Sequence, residues 1–166
     1  MANKTLVTIA VMSVFFLTMG VGTVTPAIQS VAEAFPELSF STILLVSTLP
    51  SLFIIPSTYI SGMVAGNKIG YRPLLLIGIL LFSLAGAAPY ILTASFAVIL
   101  VARAIFGIGL GIISPLGNAL ILSLYEGQER ANMLGLSGVV MNLGGIALQL
   151  LGGILAAIRW NYAFLA

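Results

Sequence analysis

The chain has 166 residues and ten charged side chains, six Lys or Arg and four Asp or Glu, so 6% of it is charged against roughly 25% in an ordinary soluble domain. Hydrophobic residues make up 60% and mean hydropathy is +1.21, more apolar surface than a soluble fold of this length hides; soluble globular and disordered chains are excluded. Cysteine and histidine are absent, which removes disulfides, thiolate sites, the usual general base and the commonest nitrogen ligand, so no cofactor and no metal are expected. A net charge of +2 is too small to suggest a nucleic-acid partner.

The charges punctuate long uncharged runs: residues 5–32, 38–67, 73–102, 104–125 and 131–158. Each exceeds the roughly 20 residues that carry a helix across a bilayer core. A β-barrel would instead show alternating segments of about 10 residues. The reading is an all-α integral membrane bundle with spans at about 5–26, 42–65, 73–93, 96–123 and 133–157. The fourth span contains Arg103 and is read as one helix with one buried charge. The first run is longer than the 7–15 residues of a signal-peptide core, so residues 1–34 are read as a retained span. An aromatic-rich stretch from Arg159 leads into what reads as the start of a sixth span near 162–166, so the chain is expected to be a fragment. Short connections make neighbouring spans antiparallel and packed.

Orientation follows from Lys and Arg. With the N-terminus cytoplasmic, Lys4, Lys68, Arg72 and Arg130 lie inside and Arg159 alone outside. Glu33 and Glu37 then fall in the first outer loop, and Glu126 and Glu129 in the second inner loop. The expected location is the cell (plasma or inner) membrane, multi-pass, with the lipid bilayer as first partner.

Gly20 to Gln29 and Gly109 to Asn118 both read G-x-G-x-x-[S/T]-P-x-x-[N/Q]. They lie in spans of opposite direction, which is the mark of an inverted-topology repeat; chance is the competing reading, since Gly and Pro are common in membrane helices. Arg103 lies about seven residues inside its span, where an arginine costs about 2.5–3.5 kcal/mol on insertion scales. It is expected to face the bundle interior or water, with snorkelling to the headgroups as the alternative. Helical spacing puts Gly107, Gly111, Ser114 and Asn118 on its face. Span five carries Gly138, Asn142, Gly145, Gln149, Gly152 and Gly153 in similar fashion. Its glycines, with Gly107 and Gly111, are read as helix packing; Asn142 and Gln149 suit either packing or a cavity lining. No Asp or Glu falls inside a predicted span, so Arg103 lacks a buried acidic partner. Gly135-Leu136-Ser137-Gly138 matches the G-x-S-G of rhomboid intramembrane serine proteases, but no histidine exists to take the serine's proton, and no enzyme is expected.

The loop Gly62 to Pro73 resembles the loop signature of the major facilitator superfamily, a glycine followed by D-[R/K]-x-G-x-[R/K]. Lys68, Gly70 and Arg72 fit; Asn67 stands at the acidic position, and Gly62 is one residue early. Gly70 is expected to allow the tight turn. The resemblance implies that Asn67, Lys68, Gly70 and Arg72 form an inner-gate loop. Arg103-Ala104-Ile105-Phe106-Gly107-Ile108-Gly109 resembles the family's R-x-x-x-G-x-G, implicated in proton coupling and the substrate path. Glu126 to Arg130 resembles its acidic-then-Arg stretch before the fifth helix. Gly144, Gly152 and Gly153 fit the antiporter signature G-x-x-x-G-P-x-x-G-G, with Leu148 and Gln149 in place of the central G-P. The resemblance covers the first five helices of a six-helix half, with 3+3 inverted repeats, of a 12-span transporter whose C-terminal half would be a partner. It implies a secondary active transporter moving a small-molecule substrate by alternating access, read first as proton-coupled drug or metabolite efflux. Sugar or metabolite uptake by symport or uniport is the alternative, and a non-transporting membrane receptor or scaffold the reading of another class. Arg103, Asn118, Asn142 and Gln149 are expected to border the substrate or proton path.

Overall fold

The structure, a computed structural model, describes residues 4–92 and 95–165. Its elements are α1 (Lys4–Thr18), α2 (Ile28–Ala34), α3 (Phe40–Val64), α4 (Tyr71–Ile91), α5 (Phe96–Leu124) and α6 (Gly127–Ile158), with 3-10 turns at Met19–Gly22, Thr25–Ala27 and Trp160–Leu165. No named strand occurs among the described residues. Five helical segments are long and apolar enough to cross a membrane, the first being Lys4–Ala34 taken across its breaks. This is the membrane helix bundle that the composition requires.

The first crossing runs on to Ala34 rather than stopping near 26. Pro26 sits in the first positions of the turn Thr25–Ala27, where proline is tolerated, and α2 continues beyond it. The break is made by local hydrogen bonds. Thr18 Oγ1 donates to the Phe15 carbonyl at 2.7 Å, and Thr23 donates to the Gly20 carbonyl through Oγ1 at 2.9 Å and through its backbone N at 3.3 Å. Glu33 therefore belongs to α2 rather than to a loop. At the other end of the chain, α6 begins at Gly127 rather than near 133, because Glu129 suits a helix N-terminus and Gln128 pairs with Asn132 at 3.2 Å. Residue 93, the expected end of the third span, lies outside the described residues. Residues 160–165 form 3-10 turns packed on α4 and α6 with Asn161, Ala163 and Phe164 buried, and Ala166 lies outside the described residues.

α5 is the hub. It packs along α3 and α4 and also meets α1 and α6. Its glycines set how closely: a methyl at Gly107 would fall on the Pro50 backbone, one at Gly111 would lie 2.7 Å from the Ile54 carbonyl, and one at Gly109 would lie 2.5 Å from Phe82 N. Gly107 and Gly111 thus face α3 and Gly109 faces α4. Small residues at these positions let backbones touch, which is how helices associate without a hydrophobic drive in lipid. α6 uses the same device against α1 and the turn after it. Gly144 meets Phe16, Gly145 meets Met19, Gly152 meets Thr23 and Gly153 meets Pro26.

The two ends of the bundle differ in charge. Lys4, Lys68, Arg72 and Arg130 share one end, where Lys4 Nζ lies 2.7 Å from Glu129 Oε1. At the other end Phe96, Phe35, Trp160 and Phe164 stack edge-on in succession, with centroids 5.3–6.3 Å apart.

Candidate functional site

Arg103 is 1% exposed, so it points inward and does not snorkel among the described residues. Its Nε donates to the Val46 carbonyl of α3 at 3.0 Å. Its guanidinium carbon lies 4.4 Å from the ring centroid of Phe106 and 5.8 Å from that of Phe164. Aromatic faces supply negative potential that offsets part of the desolvation of the cation. One terminal nitrogen, Nη2, is buried without a hydrogen-bond partner among the described residues. Such a donor is costly to leave unmet.

The guanidinium borders a cavity of about 220 Å³. Gly20 and Thr23 line it from the break between α1 and α2, Phe82, Ser83, Gly86 and Ala87 from α4, Phe106 from α5, and Phe164 and Leu165 from the last turn. The break matters here. It replaces a regular helix with a turn rich in small residues, which opens space opposite Arg103. The arrangement offers one cation and the Ser83 hydroxyl to an acceptor group within mostly apolar walls, the proton of the Thr23 hydroxyl being donated to the Gly20 carbonyl.

The other expected path residues lie elsewhere. Asn118 is exposed and lines a separate groove of about 290 Å³ between α1, α5 and α6, with Phe15, Thr18, Ser114, Leu134, Ser137, Gly138 and Met141. Asn142 is exposed and donates to the carbonyl of Gly138 in its own helix at 2.8 Å. Gln149 is exposed and lies against Gly22, whose added methyl would sit 3.0 Å from Nε2. Seven-residue spacing puts Asn142 and Gln149 on one side of α6, but nothing brings either to Arg103. The stripe from Arg103 to Asn118 also divides: Gly107 and Gly111 are sealed against α3, while Ser114, bonded back to the Leu110 carbonyl at 2.9 Å, and Asn118 line the groove. Along so many turns of helix, a face at one spacing passes from one neighbour to another.

In the α3–α4 loop, Asn67, Lys68, Gly70 and Arg72 are all exposed. The turn differs from expectation in one residue. Gly70 has φ −62°, ordinary for any residue, and serves as N-cap of α4. Gly66 instead has φ +77°, and its N donates to the Ile69 carbonyl at 2.8 Å while Lys68 N and Ile69 N both donate to Val64. The turn is closed by Gly66, and a methyl added at Gly62 would meet nothing within 4 Å among the described residues beyond its own helix.

Thr23, Ser83 and the Val46 carbonyl escaped the sequence reading. Hydroxyl residues are common and a backbone acceptor is invisible in a motif. The signal that was available is Pro50: lacking N–H, it leaves the carbonyl four residues earlier, Val46, without its helical donor.

A bundle of membrane-crossing helices holding a buried arginine beside a small polar-edged cavity has the build of a solute carrier. The chain belongs to the Major Facilitator Superfamily, whose family model matches residues 10–166, and so to a family of membrane transporters. It is also similar to Multidrug resistance protein 3 of Bacillus subtilis (strain 168), at 29% identity over 119 residues, covering 66% of this chain and 23% of that protein. The chain thus spans about a quarter of the length of the curated relative it matches.

Proposed function

We propose that the chain is part of a secondary transporter that moves a small solute by alternating access, with proton-coupled efflux of drugs or metabolites as its activity. The observation that carries this reading is the buried Arg103 with Nη2 unmet on the cavity shared by Thr23 and Ser83. A donor kept in the bundle without a partner suits a group that is engaged only in part of a cycle. The similarity to a protein named for multidrug resistance favours efflux over uptake. Asn118, Asn142 and Gln149, on the exposed sides of α5 and α6, suit the wider path that a second half of the same transporter would complete. Asn67, Lys68, Gly70 and Arg72 suit an inner gate, with the N-terminus cytoplasmic in the cell membrane.

The test is ethidium efflux from cells expressing the full-length protein with Arg103→Ala or Arg103→Lys. Efflux falls at least tenfold with Arg103→Ala at equal membrane abundance. Wild-type rates in both variants overturn the role of Arg103. Loss of ethidium gradient dependence on the proton gradient would sink the proton coupling alone. An unmoved probe together with proton-driven accumulation of a sugar or acid would establish uptake instead.

A further inference from the structure

Three prolines sit inside the paired helices, Pro50 and Pro56 in α3 and Pro115 in α5, and Pro50 and Pro115 each release a carbonyl four residues earlier that the partner helix then meets. For Pro50 of α3 that carbonyl belongs to Val46; for Pro115 of α5 it belongs to Gly111. Both carbonyls are met from the other helix. Arg103 Nε of α5 donates to Val46 at 3.0 Å, and Thr58 Oγ1 of α3 donates to Gly111 at 3.1 Å. Ser61 Oγ of α3 adds a third bond one residue along, to the Ile112 carbonyl at 3.2 Å. Water is absent from a bilayer core, so an orphaned carbonyl there needs a protein donor. The glycines make the reach possible, since Gly107 and Gly111 bring the α5 backbone against Pro50 and Ile54.

We propose that α3 and α5 are locked into one rigid unit by this reciprocal exchange, in which α5 supplies the donor for the carbonyl released by Pro50 and α3 the donor for the carbonyl released by Pro115. Thr58 is then a positioning residue that acts through the α5 backbone, and Arg103 has a second role in holding α3. The two helices run in the same direction, so donors at two heights fix both their spacing and their relative slide. The lock does not rest on the transport reading, because it is a statement about stability and rigidity.

A double-mutant cycle tests it on the purified chain. Thr58→Val removes the hydroxyl at nearly constant volume, and Pro115→Ala restores the N–H that serves Gly111 from within α5. Thr58→Val lowers the melting temperature by about 2 °C in the native background. The same substitution has less than half that effect with Pro115→Ala, where Thr58 is no longer needed. Thr58→Ser retains the donor and the native melting temperature. Rigidity is read separately. The chain has no cysteine, so Tyr59→Cys in α3 and Leu122→Cys in α5, both at exposed positions, take a unique pair of spin labels. The inter-label distance distribution broadens with Thr58→Val and stays narrow with Thr58→Ser. Equal losses from Thr58→Val in both backgrounds, or no loss in the native one, overturn the lock. If the Pro115→Ala chain does not yield monodisperse protein, the Ser and Val variants decide alone: equal behaviour of the two overturns the lock, and loss in Val only supports it. A broadened distribution in Thr58→Ser overturns it as well.

Discussion

At Gly66 the backbone takes φ +77°, in the left-handed region that an L-residue enters at a cost of about 1–2 kcal/mol. An added methyl would also lie 2.9 Å from the Tyr71 hydroxyl, though that side-chain tip can swing aside. Gly66→Ala is therefore expected to destabilise the chain by about 1 kcal/mol, seen as a lower melting temperature in detergent. Gly70→Ala, at φ −62° with only the Pro73 ring nearby, is expected to leave it unchanged. A matching loss at Gly70 would mean that the turn closes through Gly70 instead. Both glycines stand in the same short loop, and the motif alone singles out Gly70. Only the dihedral angle separates the one that needs to be glycine from the one that merely is.

Along a helix, the ends and the seams carry the energy. α5 ends at Leu124, where its last carbonyls would be unmet. Arg130 covers them from the first turn of α6, donating from Nε to Tyr125 at 2.9 Å and from Nη2 to Leu122 at 3.0 Å. A cation at a helix C-terminus also meets the negative end of its dipole. Arg130→Gln is expected to cost about 1 kcal/mol, with a thermal shift smaller at high salt as the check. In the seam, Gly107→Ala places a methyl on the Pro50 backbone, and the helices must part, at about 1–3 kcal/mol. Gly138→Ala in α6 meets nothing within 4 Å and serves as the control, expected to be neutral or mildly stabilising. Equal melting temperatures for the two alanine variants would mean that Gly107 is not a contact of backbones. The sequence makes the five crossings legible because lipid demands long apolar runs, and burial of Arg103 is legible because a mid-span charge has few places to go. It does not make the break after Thr18 legible. That break rests on which carbonyls the Thr18 and Thr23 hydroxyls choose, while the same G-x-G-x-x-[S/T]-P pattern in α5 stays helical with Thr58 and Ser61 donating to its carbonyls. Nor does it reveal that Asn118, Asn142 and Gln149 sit apart from Arg103, because helical periodicity names a face of one helix and not the neighbour opposite it.

For the molecule as a whole, the few charges fall on two ends with unequal sign. Lys4, Lys68, Arg72 and Arg130 gather at the end where α1, α4 and α6 begin, while Arg159 stands at the other, with Glu33 and Glu37. Short flanking loops rich in Lys and Arg stay on the cytoplasmic side. The helices alternate direction, so placing one loop places the rest. The absence of cysteine makes this directly measurable, since a single introduced thiol is the only target for a maleimide. Lys68 and Glu37 are both exposed and lie at opposite ends of α3. In right-side-out vesicles a membrane-impermeant maleimide is expected to label Glu37→Cys and spare Lys68→Cys, with the pattern exchanged in inverted vesicles. Labelling of both from one side would mean that α3 does not cross. The reverse pattern would put the loop from Asn67 to Arg72 outside, and the reading of that loop as an inner gate would fall with the orientation.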